Sequence, residues 1–166
     1  MADYFTAHLT LDRPVSEVFD FVAHPENHSD FDASDTVGAC VNPGRIPGVG
    51  HVFTMEMSYT GDDGTETQYR TDNLVTRFAE GKVIEWGVGP AGERPLGWRW
   101  RYEFEAEGSR DASTRVTLTY DWTDASEATR ERFGIPAISR VGIEASLALL
   151  DFALVAAHGD TPRVEP

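Results

Sequence analysis

Two side chains of this sequence could move a proton in an apolar environment. His51 begins the run HVFTMEMSY, and Tyr102 lies in the middle of GWRWRYEFEAE. An imidazole or a phenol can serve in acid–base chemistry when burial shifts its pKa, and the Asn73 amide could hold a polarised carbonyl. The alternating pattern places no carboxylate clearly on the same face. His51 and Tyr102 are therefore the candidate catalytic residues, but the pattern favours binding over catalysis.

The run Gly97–Glu107 alternates between rings and charges. Trp98, Trp100 and Tyr102 fall on one parity, while arginines and glutamates fall on the other. Successive side chains of a β-strand point to opposite faces of its sheet. The run therefore predicts a strand with an aromatic inner face and a charged outer face.

Neighbouring runs with the same alternation extend this inner face. In the run 66–78 we assign Thr71 and Asn73 to the inner face, because the opposite choice would bury Arg70 and Asp72. A one-residue bulge would exchange the inner and outer residues of this strand. A mostly apolar wall with a few hydrogen-bonding groups is typical of a small-molecule site, although such rings often form only a core. The predicted ligand-binding residues are Phe53, Met55, Met57, Tyr59, Tyr69, Thr71, Asn73, Trp86, Trp98, Trp100, Tyr102, Tyr120 and Trp122.

A glycine motif, GVGPAG at residues 87–92, fits the dinucleotide pattern G-x-G-x-x-G. Such a site needs a helix that opens at the third glycine and holds the pyrophosphate at its N-terminus. Pro95 and another strand follow instead. We therefore expect no cofactor, and interpret the segment as a flexible loop that could form a lid at the mouth of a cavity.

A second motif places His24 and His28 four residues apart, with Asp30 and Asp32 close by. This spacing could bind zinc on a continuous helix. Pro25 lies between the two histidines and disfavours the helical conformation at His24. We therefore expect a link at the surface and no metal site.

The elements that must position these residues follow in a simple order. A strand at Tyr4–Leu11 precedes a helix with an apolar face, and a short helix or loop comes next. Six strands with short connections then indicate an antiparallel meander. A final helix is predicted from about Ala137 to Ala157. Its expected core stripe is Ile138, Val141, Ala145, Leu149 and Phe152, widened by Leu147, Leu150 and Leu154.

Composition narrows the classes of function. The chain has 166 residues and a net charge of −14, which disfavours binding to nucleic acid or to an anionic membrane surface. It has one cysteine and no long apolar run, so we expect a cytoplasmic protein. We predict a single ligand-binding domain at residues 1–158 and a flexible tail at 159–166. The sequence leaves the oligomeric state open.

Two segments resemble a known superfamily. Pro14, Val18 and Phe19, followed by Pro25 and Glu26, are similar to the opening of the START/polyketide-cyclase-like (SRPBCC, helix-grip) superfamily. The run 100–122 is similar to the late hairpin of that superfamily. The resemblance covers nearly the whole chain, and it departs where Phe31 stands in place of a common tryptophan.

The resemblance implies an α+β helix-grip fold, in which a curved antiparallel sheet wraps around a long C-terminal helix and two short helices follow the first strand. It also implies a cavity between the sheet and that helix. We therefore expect the protein to bind an apolar, aromatic or polyketide- or lipid-like molecule there. One alternative is a polyketide cyclase or dehydratase that uses acid–base residues in the same cavity. The other is a protein-interaction module without a ligand.

Overall fold

A computed structural model describes residues 2–108 and 112–159. The predicted tail lies outside these residues except for Gly159, and the division into domain and tail remains a prediction. Seven strands and three α-helices form in the expected order, together with a 3₁₀ helix at Pro25–Asp30. The elements are β1 (Tyr4–Leu11), α1 (Val15–Val22), β2 (Val37–Cys40), β3 (Val52–Thr60), β4 (Glu66–Ala79), β5 (Val83–Pro90), β6 (Trp98–Glu107), β7 (Ser113–Asp121), α2 (Glu127–Phe133) and α3 (Arg140–Ala157).

The seven strands form one antiparallel sheet in the order β1-β7-β6-β5-β4-β3-β2. The meander places sequence neighbours side by side, and β1 closes one edge by pairing with β7. The sheet curves around its apolar face, and α3 packs on β1 and β7. The predicted α+β helix-grip fold is confirmed. None of the helices in the parts of the chain that the structure describes is long and apolar enough to cross a membrane.

The predicted face of β4 is the buried one from Thr71 to Val75, whereas Tyr69 on the same face is exposed. Thr71, Asn73 and Val75 are buried, whereas Arg70 is exposed. A shift in register occurs only after Val75, so it does not exchange the two faces before that point. Burying Arg70 would have removed a charge from water, and this cost explains why the charge pattern specified the face correctly.

The predicted core stripe of α3 is wrong at four of its five central positions, whereas Ile138 and the widening residues Leu147, Leu150 and Leu154 are buried as predicted. Val141, Leu149 and Phe152 are 72%, 38% and 68% exposed, and Ala145 is also exposed. The helix instead buries a stripe rotated about its axis, formed by Ile143, Leu147, Leu150 and Leu154. Because apolar residues occupy nearly the whole circumference, hydrophobic periodicity could not specify which side meets the sheet. The helix begins at Arg140, three residues later than expected, since the Ser139 hydroxyl caps it by accepting from the Gly142 N–H.

The glycine motif was interpreted as a loop, but its residues 87–90 belong to β5, and the loop that follows them is no lid. Residues 91–97 fold back over the outer face of β5, where the Leu96 N–H donates to the Val88 carbonyl at 3.0 Å. A Cβ at Gly87 would lie 2.9 Å from the Pro95 side chain, and one at Gly89 would collide with the Arg94 carbonyl. The two glycines are therefore required by close chain packing and not by a phosphate.

Packing of α3 generates a paired prediction. Replacing Leu150 by Ala should destabilise the protein by about 2–5 kcal/mol, because this side chain is fully buried. The adjacent Leu149→Ala should cost less, since Leu149 is 38% exposed. Urea unfolding of both variants measures the difference. Equal losses would mean that α3 is rotated from the orientation described.

Candidate functional site

A cluster of rings fills the centre of the concave face. Trp86 on β5 stacks on Tyr102 of β6, with 5.8 Å between ring centroids and 17° between planes. Phe53 of β3 meets the edge of Trp86 at 5.5 Å. Phe31 makes an edge contact with Tyr102, with 5.9 Å between ring centroids. Trp86, Tyr102 and Phe53, which alternation assigned to one face, do lie together, and Phe31 joins them from the segment after the 3₁₀ helix.

His28 belongs to this cluster, which corrects the expectation of a surface link. Its ring stacks on Trp86 at 5.0 Å and its Nε2 lies 2.8 Å from the Val22 carbonyl oxygen. Burial lowers the pKa of His28 to about 4, so the imidazole is neutral and donates from Nε2 at pH 7. Side chains three residues apart eclipse one another in a 3₁₀ helix. The His28–Phe31 spacing was therefore a signal for a shared inward face.

The wall becomes accessible towards one end of the sheet. Met57, Trp98 and Trp100 are half-buried there, while Tyr59 and Tyr69 are 56% and 41% exposed. Met57 and Tyr69 are direct partners across β3 and β4. We call these five residues the open end of the concave face.

Further contacts between aromatic rings support the open end. Trp100 stacks on Tyr120 with centroids 4.3 Å apart, and Trp98 lies against Phe133 of α2 at 5.3 Å. Trp122 is buried between Tyr120 and Phe5. The Tyr120 hydroxyl already accepts the Ala137 N–H at 3.2 Å, so it supports the segment before α3.

Tyr102 carries a polar group that nothing in the described chain satisfies. The residue is only 5% exposed, and its hydroxyl makes no hydrogen bond within residues 2–108 and 112–159. Burial raises the pKa of Tyr102, with a further contribution from the negative charge of Asp32. The phenol therefore keeps its proton and can donate a hydrogen bond at neutral pH.

Asp32 is the site residue that sequence reasoning missed. Partial burial and the Asp32 charge also raise the pKa of Tyr69, so the carboxylate acts on both tyrosines. Its segment is held in place, because the Ala33 N–H donates to the Ser146 hydroxyl of α3 at 3.1 Å. Ser34 donates to Asp32 at 2.5 Å. No local pattern marks Asp32, since its position depends on how residues 31–36 meet the sheet and α3.

Other predicted site residues are bonded or packed in the protein interior, or lie away from the open end. The Asn73 side-chain nitrogen donates to the Phe53 carbonyl at 3.1 Å and to Thr71, so it links β3 and β4. Met55 is buried in the core. His51 is half-buried at the start of β3, at the opposite end of that strand from Tyr59. Ligand contact by these residues and catalysis by His51 remain predictions.

Two further features bear on alternative ligands. No group of three or more His, Cys, Asp or Glu side chains within the described ranges could hold a metal ion. Two open hollows of about 700 and 450 Å³ lie outside the concave face. They adjoin α1, the 3₁₀ helix and the C-terminal end of α3, and both are lined by Phe21, Asn27 and Ala157.

Comparison with known proteins identifies relatives and a shared fold. No family model matches the chain. It is 34% identical over 143 residues to the uncharacterized protein Rv0088 of Mycobacterium tuberculosis strain H37Rv, an alignment that covers 82% of this chain. It is 33% identical to the uncharacterized protein MT0096 of strain CDC 1551. The chain spans only 58% of the length of either relative.

Solved structures agree over almost the whole chain. Protein Ms6760 of Mycobacterium smegmatis has a TM-score of 0.64 at 20% identity, with 95% of this chain and 94% of that chain covered. An AHSA1-like protein of Aeromonas hydrophila has a TM-score of 0.58 at 14% identity, with 98% and 100% covered. At these identities the likeness concerns architecture. The chain therefore shares the fold of these proteins, a curved antiparallel half-barrel with a C-terminal helix.

The buried imidazole generates a prediction about acid stability. The folded-state pKa of about 4 lies below the ordinary value of 6.5, so the unfolded chain binds the additional proton between these pH values. The contribution is fully present above pH 6.5 and is lost as the pH falls towards 4, by about 3 kcal/mol at most. We expect His28→Gln to flatten the dependence of unfolding free energy on pH in this window.

The control is His8→Gln, which removes an exposed histidine from β1. Its profile should follow that of the wild type. Urea unfolding at a series of pH values measures all three proteins. Parallel profiles for His28→Gln and the wild type would contradict a neutral, buried His28.

Proposed function

We propose that this protein binds a small apolar molecule between the concave face of the sheet and α3, at the open end, and that it belongs to the SRPBCC superfamily. The ligand is aromatic, or polyketide- or lipid-like, and carries an oxygen that accepts a hydrogen bond. The observation that carries the proposal is the Tyr102 hydroxyl. Tyr102 is only 5% exposed, and its hydroxyl has no partner within the described residues and keeps some contact with solvent. A ligand oxygen can therefore take the place of water at this donor.

The surroundings of Tyr102 support an apolar ligand. Trp86 covers one face of the ring, and the open end continues the wall with two further tryptophans, Trp98 and Trp100. Flat rings offer large apolar area and favour stacked or edge contacts with an aromatic ligand. Met57 lies at the same end, and its flexible thioether adapts to irregular shapes.

The negative charge of Asp32 and of the whole chain favours a ligand that is not an anion. Asp32 is close enough to raise the pKa of both Tyr69 and Tyr102, and the whole chain carries a net charge of −14. An anion would have to approach this field and lose its hydration in an apolar space. A neutral carbonyl or hydroxyl avoids both costs.

The placement of Asp32 supports a second candidate, an acid–base enzyme of the polyketide cyclase or dehydratase type. The sequence pattern offered no inward carboxylate, whereas the charge of the half-buried Asp32 contributes to raising the pKa of both Tyr69 and Tyr102. In such an enzyme Tyr102 would donate to a substrate carbonyl oxygen, and the Asp32 carboxylate would accept a proton from the adjacent carbon. Turnover that is lost in Asp32→Asn while binding persists would distinguish this candidate from a carrier.

A matched pair of probes tests the binding proposal. 2-Acetylnaphthalene offers a carbonyl oxygen, and 2-ethylnaphthalene has a similar shape without it. We expect Tyr102→Phe to weaken binding of 2-acetylnaphthalene by about ten- to a hundredfold, which is the loss of one hydrogen bond in an apolar site. Binding of 2-ethylnaphthalene should change little. Quenching of tryptophan fluorescence and calorimetry measure both affinities.

Tyr120→Phe provides the control. It removes a hydroxyl that is already bonded to the Ala137 N–H, so it should reduce stability without changing the preference between the two probes. Tyr102→Phe should leave stability nearly unchanged. The proposal is wrong if neither probe binds, or if Tyr102→Phe weakens both probes equally. A protein-interaction module whose rings are only core would give the first of these results.

A further inference from the structure

The outer face of α3 is apolar along its whole length. Val141 and Phe152 are the two most exposed large apolar side chains of the described residues, and Leu149 is 38% exposed. With the exposed alanines they form the outer stripe, defined as Val141, Ala145, Ala148, Leu149, Phe152 and Ala156. The helix has 18 residues and is therefore about 27 Å long. A continuous exposed apolar patch of this kind marks an interaction surface.

The charged side chains of α3 indicate whether a partner helix runs parallel or antiparallel to it. Arg140, Glu144 and Asp151 are exposed and lie on one flank of the outer stripe, with the arginine at the N-terminal end and Asp151 near the C-terminal end. In an antiparallel pair of identical helices the same flanks meet, and each Arg140 comes opposite Asp151 of the other copy. In a parallel two-fold pair the charged flank of one copy would instead face the uncharged flank of the other, so these opposite-charge pairs would not form.

We propose that two copies of this chain associate through antiparallel packing of α3 on α3, crossing near Ala145 and Ser146. This arrangement is an isologous two-fold interface, in which each surface meets itself. The small side chain of Ala145 allows close approach at the crossing, and Leu149 of one copy comes level with Gly142 of the other. Each Arg140 then lies between its own Glu144 and Asp151 of the second copy.

A hollow beside the outer stripe fits the same geometry. The hollow of about 450 Å³ is lined mainly by apolar groups of α1 and α3, including Phe21, Phe152 and Ala156. With the crossing at Ala145 and Ser146, the exposed Pro136 and Ala137 of the second copy lie opposite this end of α3. Apolar surface thus meets apolar surface at both ends of the interface.

Sedimentation velocity of the full chain from about 1 to 500 μM, the range in which a micromolar dimer dissociates, tests the proposal. Ionic strength is held at about 0.15 M, where the Debye length of about 8 Å limits repulsion between the two acidic copies. We expect a reversible monomer–dimer equilibrium. Val141→Glu places a charge within the interface and should raise the dissociation constant at least about tenfold.

Val49→Glu is the matched control, since Val49 is 65% exposed and lies outside α3. It adds the same charge and should dissociate like the wild type. Thermal melts confirm that both variants remain folded. A wild-type protein that stays monomeric throughout overturns the proposal and leaves the outer stripe to a different partner. Equal dimerisation of Val141→Glu and the wild type also overturns it.

Charge exchange tests the antiparallel direction. Arg140→Asp and Asp151→Arg should each weaken the dimer, because each creates a like-charge pair across the interface. The double variant R140D/D151R should recover association to within about twofold of the wild type, since it restores opposite charges. A double variant as weak as the sum of its single changes overturns this pairing.

Discussion

The contact between His28 and Trp86 determines where the segment that follows α1 lies on the sheet. The neutral imidazole stacks on the indole and reaches back to the Val22 carbonyl, so it joins the end of α1 to the centre of β5. Phe31 follows three residues later and packs on Tyr102. The position of Asp32 depends on both contacts. A charged His28 would lose hydration at this site, and the whole arrangement therefore requires its neutral form.

The polar groups of the concave face differ in whether they bond within the protein. Asn73 and Tyr120 are buried and bonded to backbone groups of their own chain, which stabilises the wall and the segment before α3. Tyr102 is equally buried but has no such bond within the described residues. The Tyr102 hydroxyl keeps some contact with solvent and is free to bind a ligand, and the proposed site depends on this donor.

Sequence patterns predicted the strands and their inner faces because each strand has one face in water. The charges of β6 and β4 lie outside, so alternation was sufficient to assign Trp100, Tyr102 and Asn73 to the inner face. The same reasoning failed for α3, where an apolar residue is available in nearly every direction and only the sheet selects Leu150 over Leu149. It also failed for His28 and Asp32, whose burial arises from contacts distant in sequence.

The loop at residues 91–97 also affects where the sheet can move. It covers the outer face of β5 at Gly87 and Gly89, while the inner face of the same strand is buried under rings. Water therefore reaches neither side of this central strand, and opening it would require the loop and the ring cluster to separate together. Conformational adjustment is cheapest at the exposed ends of β3 and β4. The sheet thus combines a rigid central strand, β5, with ends of β3 and β4 that can adapt in shape.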